Sequence, residues 1–353
     1  MMPYLQVAPL VTTFVLALGL LILMSPFAHQ LGLVDTPSSK RGHKEKVPLT
    51  GGLAIFISVL VASILNGVWY ESSAVFFFAS SIIVLLGTLD DKFDLSAKGR
   101  MVCQFGVAGI MVIVAQNTIT DLGDIVSIGN IKLDLSSAFF TMICVVGVVN
   151  AFNMIDGIDG LAGGMSLIVL ISVVFLLVVS NNGHLIMTPL MLVAALVPFL
   201  AFNLSMKGFK GNKIFMGDSG SMFVGLTIVW LLVDYTQGET SAIRPITAVW
   251  IIGLPLLDMA AIMYRRAKKG QSVLKSDRQH LHNIFMRAGL SARRSLSAIL
   301  LIGLSFAIVG ILGEIYQVPE TFMFSLFIIV LLIYSYILQN IWKILRTIRS
   351  ILR

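Results

Sequence analysis

Aspartates in this sequence stand where long apolar runs end. Asp90 and Asp91 close one run in LLGTLDDKFD, Asp156 and Asp159 follow another in NAFNMIDGIDGL, Asp218 opens a third in KIFMGDSGS, and Asp258 lies inside a fourth in PLLDMAA. A charge at the centre of a membrane helix costs about 2.5 to 3.5 kcal/mol. Adjacent or poorly hydrated carboxylates take up protons unless a cation or hydrogen-bond donors stabilise the ionised form. If the helix continues past residue 153, Asn153, Asp156 and Asp159 fall at i, i+3 and i+6, within about a third of its circumference. Carboxylates and an amide converging in this way suit a hard cation, and Mg²⁺ characteristically takes one or two protein oxygens together with substrate phosphates. Helix capping explains any single Asp or Asn at a loop end, but not the whole set.

The elements that must position these groups are membrane helices. The 353 residues are 57% hydrophobic and 12% charged, with a mean hydropathy of +0.93, which excludes an ordinary soluble core. The chain reads as an all-α polytopic membrane protein, one integral membrane domain over residues 1–353. About eleven spans of some 20 residues fit the hydrocarbon thickness. They fall near 5–29, 50–70, 72–90, 100–117, 136–154, 161–180, 185–204, 214–234, 243–264, 295–313 and 319–342. The first is longer than a signal-peptide core and lacks a basic leader, so it reads as a permanent helix. Of the 25 Lys and Arg residues, all but Lys132 and Arg244 fall in one alternating set of loops. The positive-inside rule puts that set in the cytoplasm, the N-terminus outside and the C-terminus inside. The net charge of +7 then reflects topology and attraction to anionic lipid, and gives no reason to expect nucleic-acid binding. Cys103 and Cys144 fall inside spans, where a buried thiol acts as a small hydrophobe. The connection 118–135, with a Gly-Asn turn signal, predicts a small external hairpin.

The same topology sorts the acids. Glu71, Asp121, Asp124, Asp134, Asp234, Glu239, Glu314 and Glu320 scatter over the outer side as solvated charge, while the aspartates first named gather on the cytoplasmic side. The cytoplasmic loop before the tenth span holds Ser276 and Gln279 in a capping-box pattern. Leu281, Ile284, Phe285 and Ala288 then form a helical stripe ending near Gly289. That pattern predicts a short amphipathic helix lying at the membrane interface. From the residues alone, His280 and His282 on it suit either a polar interface or a ligand site, and Arg265, Arg266 and Arg278 suit either phosphate binding or topology.

Motifs in order along nearly the whole chain resemble the polyprenyl-phosphate N-acetylhexosamine-1-phosphate transferases, within glycosyltransferase family 4. They are GLVDTP, PLTGG, GTLDDKFDLSAKGR, NAFNMIDGIDGL, FMGDSGS, PLLDMAAIMYRR and SDRQHLHNIFMRAGL. The resemblance is strongest to the bacterial type that joins UDP-GlcNAc to undecaprenyl phosphate. It implies a bacterial inner-membrane, multi-pass enzyme whose lipid phosphate attacks the sugar-linked phosphorus, releasing UMP at the first membrane step of a surface polysaccharide such as O antigen. It also implies Mg²⁺, with Mn²⁺ as a substitute, held by Asp218 and Asn153 and oriented with the nucleotide by Asp156 and Asp159. Phe215 would stack on uracil, Lys98 would meet the lipid phosphate, and Arg265, His280 and His282 would contact the donor. Asp90 would position the acceptor with Asp91 supporting it. A phosphate monoester is already largely dianionic at pH 7, which favours direct attack over a general base or a covalent aspartyl intermediate. Related muramyl-peptide transferases suggest a homodimer. Where the family reads His-Ile-His-His, this chain ends in Asn283.

Two other classes use similar residues. A cation-coupled transporter would place its acids near the midplane on broken, repeated helices, whereas the acids here sit at cytoplasmic helix ends, with only Asp258 about two turns deep. A lipid-pyrophosphate phosphatase would share the acids and bases but has no use for a uracil-stacking Phe. The same reaction with another UDP-N-acetylated sugar leaves these motifs unchanged.

Overall fold

The computed structural model describes residues 6–36, 46–69, 73–209, 211–238, 241–272 and 280–351. These are almost wholly helical. In order they form α1 (Val7–Leu31), α2 (Gly51–Asn66), α3 (Ser73–Phe93), α4 (Ala97–Gly109, running on through a wider turn at Ile110–Val114), α5 (Ser137–Ile155), α6 (Leu161–Val179) and α7 (Met187–Asn203). There follow α8 (Gly217–Thr236), α9 (Pro245–Ile251), α10 (Gly253–Lys268), α11 (Leu281–Arg287), α12 (Ala292–Ile315) and α13 (Glu320–Ile351). Each expected span coincides with helix. Among the described residues, eight helices have the length and apolarity to cross a bilayer. At 16 and 17 residues, α2 and α7 reach only about 24–26 Å, short of the roughly 30 Å core.

The expected ninth span is broken, because α9 and α10 meet at 77°. The cause is local. Pro255 has no N–H for the carbonyl of Ile251, and its ring would collide with that carbonyl in a continuous helix; α9 ends at Ile251.

At the centre lies α8, with 94% of its apolar window buried, against 22% for α1 and 17% for α13. Helices α2, α3 and α5 pack around it, as an all-round apolar helix requires. Glycine sets the approach: a Cβ on Gly52 would lie 2.2 Å from the Gly220 nitrogen, and one on Gly87 2.3 Å from Ser219 Cα. Such backbone contact takes the place of a hydrophobic driving force between helices in lipid. Cys103 faces outward, and Cys144 is half-buried. The expectation of buried thiols therefore fails for Cys103, whose position on α4 turns away from its neighbours.

The connection before α5 forms the expected small hairpin, with an antiparallel bridge between Asp121 and Lys132. Gln237 at the end of α8 holds it, accepting from the N–H groups of Thr120 (2.9 Å) and Asp121 (3.0 Å). At the opposite end of the bundle, strands β1 (Val34–Asp35) and β2 (Val47–Pro48) pair antiparallel and tie GLVD to PLTGG. The Phe215 N–H donates to the Pro48 carbonyl at 2.9 Å, so three separated motifs meet there.

Candidate active site

The site is built on the N-terminus of α8. Gly217, at φ +71°, turns the chain into the helix, and a Cβ there would lie 2.5 Å from Asp91 Oδ2. The first N–H groups of a helix have no partner of their own. Asp91, 127 residues earlier, supplies one: its Oδ1 accepts from the Asp218 N–H at 2.8 Å and its Oδ2 from the Ser219 N–H at 3.3 Å. The adjacent carboxylate faces elsewhere. Asp90 is 4% exposed; its Oδ1 accepts from the Leu95 N–H at 2.8 Å, and its Oδ2 pairs with the Arg100 guanidinium.

Arg100 also stands 3.8 Å from Asp218 Oδ2, and Asn153 donates from Nδ2 to Asp218 Oδ1 at 2.7 Å and to Ser221 Oγ at 3.0 Å. Asp218 is thus held between an amide and a cation that sequence reasoning counted only as a topology charge. The expected cation, Lys98, is exposed on the same first turn of α4, two residues and about 200° around the helix from Arg100. The signal for Arg100 was its place in the first turn of a helix capped by Ser96, whose Oγ accepts from the Gly99 N–H at 3.2 Å.

Helix α5 ends at Ile155, so Asn153, Asp156 and Asp159 do not share a helical face. They converge through a turn that reaches Gly160 at φ +79°. Asp159 pairs with Lys213 at 2.6 Å, and the Lys213 ammonium lies 5.0 Å from the centre of the Phe215 ring. The Asp156 side chain is exposed to water on one side, while the protein packed around the others removes much of its solvation. That burial first, then the charges of Asp218 and Asp159, push it up to about 7. Asn203, also missed from sequence, joins the two active loops: it accepts from the Gly160 N–H at 2.6 Å and donates to the Ile214 carbonyl at 2.9 Å.

Helix α11 brings up the histidines. His280 Nδ1 lies 2.9 Å from Asp258 Oδ2, and the His282 ring covers Gly157, where a Cβ would come within 2.1 Å of it. Both rings are buried, and they stack in parallel at 5.7 Å. Burial, then the charge of His280, lower the His282 imidazole to about 4, so it is neutral at neutral pH and offers hydrogen bonds instead of charge. Arg265 and Arg266 are buried in the last turn of α10. Arg278, with the capping-box residues Ser276 and Gln279, lies outside the described residues. The apolar stripe of α11 differs from the interfacial expectation: Ile284 is 2% exposed and packs with Ala261 and Leu338, on protein and not on lipid. Among the described residues, no three His, Cys, Asp or Glu side chains are grouped to hold a metal ion by themselves.

A helical membrane bundle with acids, amides and cations gathered round one helix N-terminus has the makings of an integral membrane glycosyl transferase. The pattern of Glycosyl transferase family 4 matches residues 73–236, from α3 to the end of α8, and so spans Asp90 to Asp218. Undecaprenyl-phosphate alpha-N-acetylglucosaminyl 1-phosphate transferase of Salmonella typhi is 36% identical over 345 residues, 98% of this chain and 94% of that protein. The protein of the same name from Escherichia coli strain K12 is 35% identical with the same coverage. That from Pasteurella multocida strain Pm70 is 37% identical over 98% of this chain and 96% of its own length. The chain belongs to glycosyl transferase family 4.

Proposed function

We propose that the protein transfers GlcNAc 1-phosphate from UDP-GlcNAc to undecaprenyl phosphate, giving undecaprenyl-pyrophosphate-GlcNAc and UMP. Near-complete coverage of relatives bearing that activity in their names supports the reaction. The observation that carries it to particular residues is Asp218, held between Asn153 and Arg100 at the head of the buried α8.

An oxygen of the lipid phosphate attacks the sugar-bearing phosphorus, and the bond from that phosphorus to the bridging oxygen breaks, so UMP leaves with the electron pair. The acceptor is largely dianionic at pH 7 and needs no base. Positioning and charge neutralisation are then the whole task. Arg100, tethered by Asp90, faces the acceptor phosphate. Lys213, tethered by Asp159, and the ring of Phe215 hold the nucleotide end, and Arg265 adds charge towards the diphosphate. Asp91 keeps the head of α8 in place. His280 and His282 act from the donor side.

The donor set fits Mg²⁺. Asn153 makes both its hydrogen bonds from nitrogen, which leaves its oxygen available beside the carboxylates of Asp218 and Asp156. The short supply of protein ligands matches an ion completed by substrate phosphates. When bound, Mg²⁺ neutralises the pyrophosphate. The site faces the cytoplasm of the bacterial inner membrane, with eleven spans, the N-terminus out and the C-terminus in, a reading supported by the distribution of Lys and Arg.

Purified protein incubated with UDP-[³H]GlcNAc and undecaprenyl phosphate should form labelled lipid and UMP in equal amounts, and only with a divalent cation. Uptake of label into proteoliposomes without UMP would indicate a transporter. Phosphate release without nucleotide would indicate a phosphatase, and preference for UDP-GalNAc would reassign the sugar.

A further inference from the structure

Asp258 has no part in the chemistry just described, yet it is a carboxylate 4% exposed, on α10 five residues beyond the break. Buried carboxylates require donors, and Asp258 gathers three from two other elements. Its Oδ2 faces His280 Nδ1 at 2.9 Å; its Oδ1 accepts from the Leu281 N–H at 3.3 Å and from the Tyr334 hydroxyl at 2.8 Å. Leu281 is the first residue of α11, so one side chain fixes the start of that helix, the ring before it and a point on α13.

The far side of this arrangement bears on the active loop. With His280 fixed, the parallel ring of His282 rests on Gly157, which has no room for a Cβ beneath it. Gly157 stands between Asp156 and Asp159, and Asp159 holds Lys213 over Phe215. A chain of direct contacts therefore runs from α13 through α10 and α11 to the nucleotide side of the site. The acceptor side is held separately, by Asp90 and Arg100 on α3 and α4.

We infer that Tyr334 and Asp258 are positioning residues for donor binding, acting through His280 and the contact of His282 with Gly157. The inference rests on the assignment of UDP-GlcNAc as donor, and it adds residues from α10 and α13 to the set that determines its affinity. The Tyr334 hydroxyl bond to the Asp258 carboxylate is charge-assisted, the stronger class of hydrogen bond, so Tyr334→Phe should raise KM for UDP-GlcNAc about tenfold and leave KM for undecaprenyl phosphate within about twofold.

The test compares wild type, Tyr334→Phe, Gly157→Ala and the double variant, in detergent, with both KM values and kcat. Gly157→Ala displaces the His282 ring and should produce the same donor-specific change. Because both act through one contact, the double variant should be no worse than the more severe single variant. Hydrogen exchange of the Asp156–Leu161 amides is measured in parallel and should rise in both single variants. Equal changes in both KM values, multiplicative effects in the double variant, or unchanged exchange would each overturn the inference. A wild type inactive with this substrate pair would instead overturn the proposed function, and the exchange measurement would still decide the positioning.

Discussion

Asp91→Asn distinguishes a structural carboxylate from a reacting one. The adjacent pair Asp90–Asp91 invites a catalytic role for both, but Asp91 spends each oxygen on a backbone N–H at the head of α8. Asparagine keeps one acceptor, which suffices for the 2.8 Å bond to Asp218, and turns an N–H₂ towards the Ser219 N–H. The loss comprises one hydrogen bond and the charge at a helix N-terminus, about 1 to 2 kcal/mol together. Asp91→Ala leaves two donors without a partner and should cost about 2 to 4 kcal/mol. At roughly 2 °C per kcal/mol for a chain of this size, the unfolding midpoint followed by tryptophan fluorescence in detergent should fall a few degrees for Asn and about twice that for Ala. Turnover of the Asn variant, measured below its transition, should stay within about tenfold of wild type. Asp90→Asn supplies the contrast: it breaks the pair with Arg100 without touching the backbone of α8, and should lose far more turnover than Asp91→Asn. An Asp91→Asn variant that melts like wild type and is inactive would refute this division and place Asp91 in the chemistry.

Arg100→Lys should raise KM for undecaprenyl phosphate at least tenfold, because a point charge replaces the guanidinium that spans Asp90 and Asp218. Lys98→Ala should change it by less than threefold, and the reverse ranking in a lipid-titration assay would restore Lys98 as the acceptor cation. Asp156, pushed up to about 7, should make cation affinity fall as pH drops through 7, with proton release on Mg²⁺ binding at pH 7. Titration calorimetry in buffers of different ionisation enthalpy would show the release, and identical heats would contradict it. The sign for stability is opposite: without the cation, the folded state holds this proton more tightly than the unfolded chain, so its contribution improves as pH falls through 7 and is lost above it. A cysteine at Lys268 should react with an impermeant thiol reagent only in opened vesicles and one at Asp124 in intact cells, each in a background free of Cys103 and Cys144, and the converse would invert the membrane orientation.

Membrane insertion is a sum of local transfer energies, so hydropathy and the placement of Lys and Arg suffice to read where the helices lie and which loops lie together. The carboxylates could be read for the same reason: Asp90, Asp91, Asp156, Asp159 and Asp218 stand out against apolar neighbours in any window of the chain. What each one touches depends on distances of a few ångströms between residues far apart in sequence, and no local sum contains them. Asn153 meets Asp218 across 65 positions, and Asp91 meets the head of α8 across 127. Glycines admit these approaches: Gly87 of α3 lies against the backbone of α8 at Ser219, and Gly225 of α8 lies against Val149 and Phe152 of α5. Tertiary packing alone set Arg100 between Asp90 and Asp218, gave Lys213 to Asp159 and Asn203 to the two loops, and turned a solitary membrane aspartate, Asp258, into a partner of the start of α11. In each case the residue type was visible in the chain, but its partner was set by how the helices and the loops between them pack.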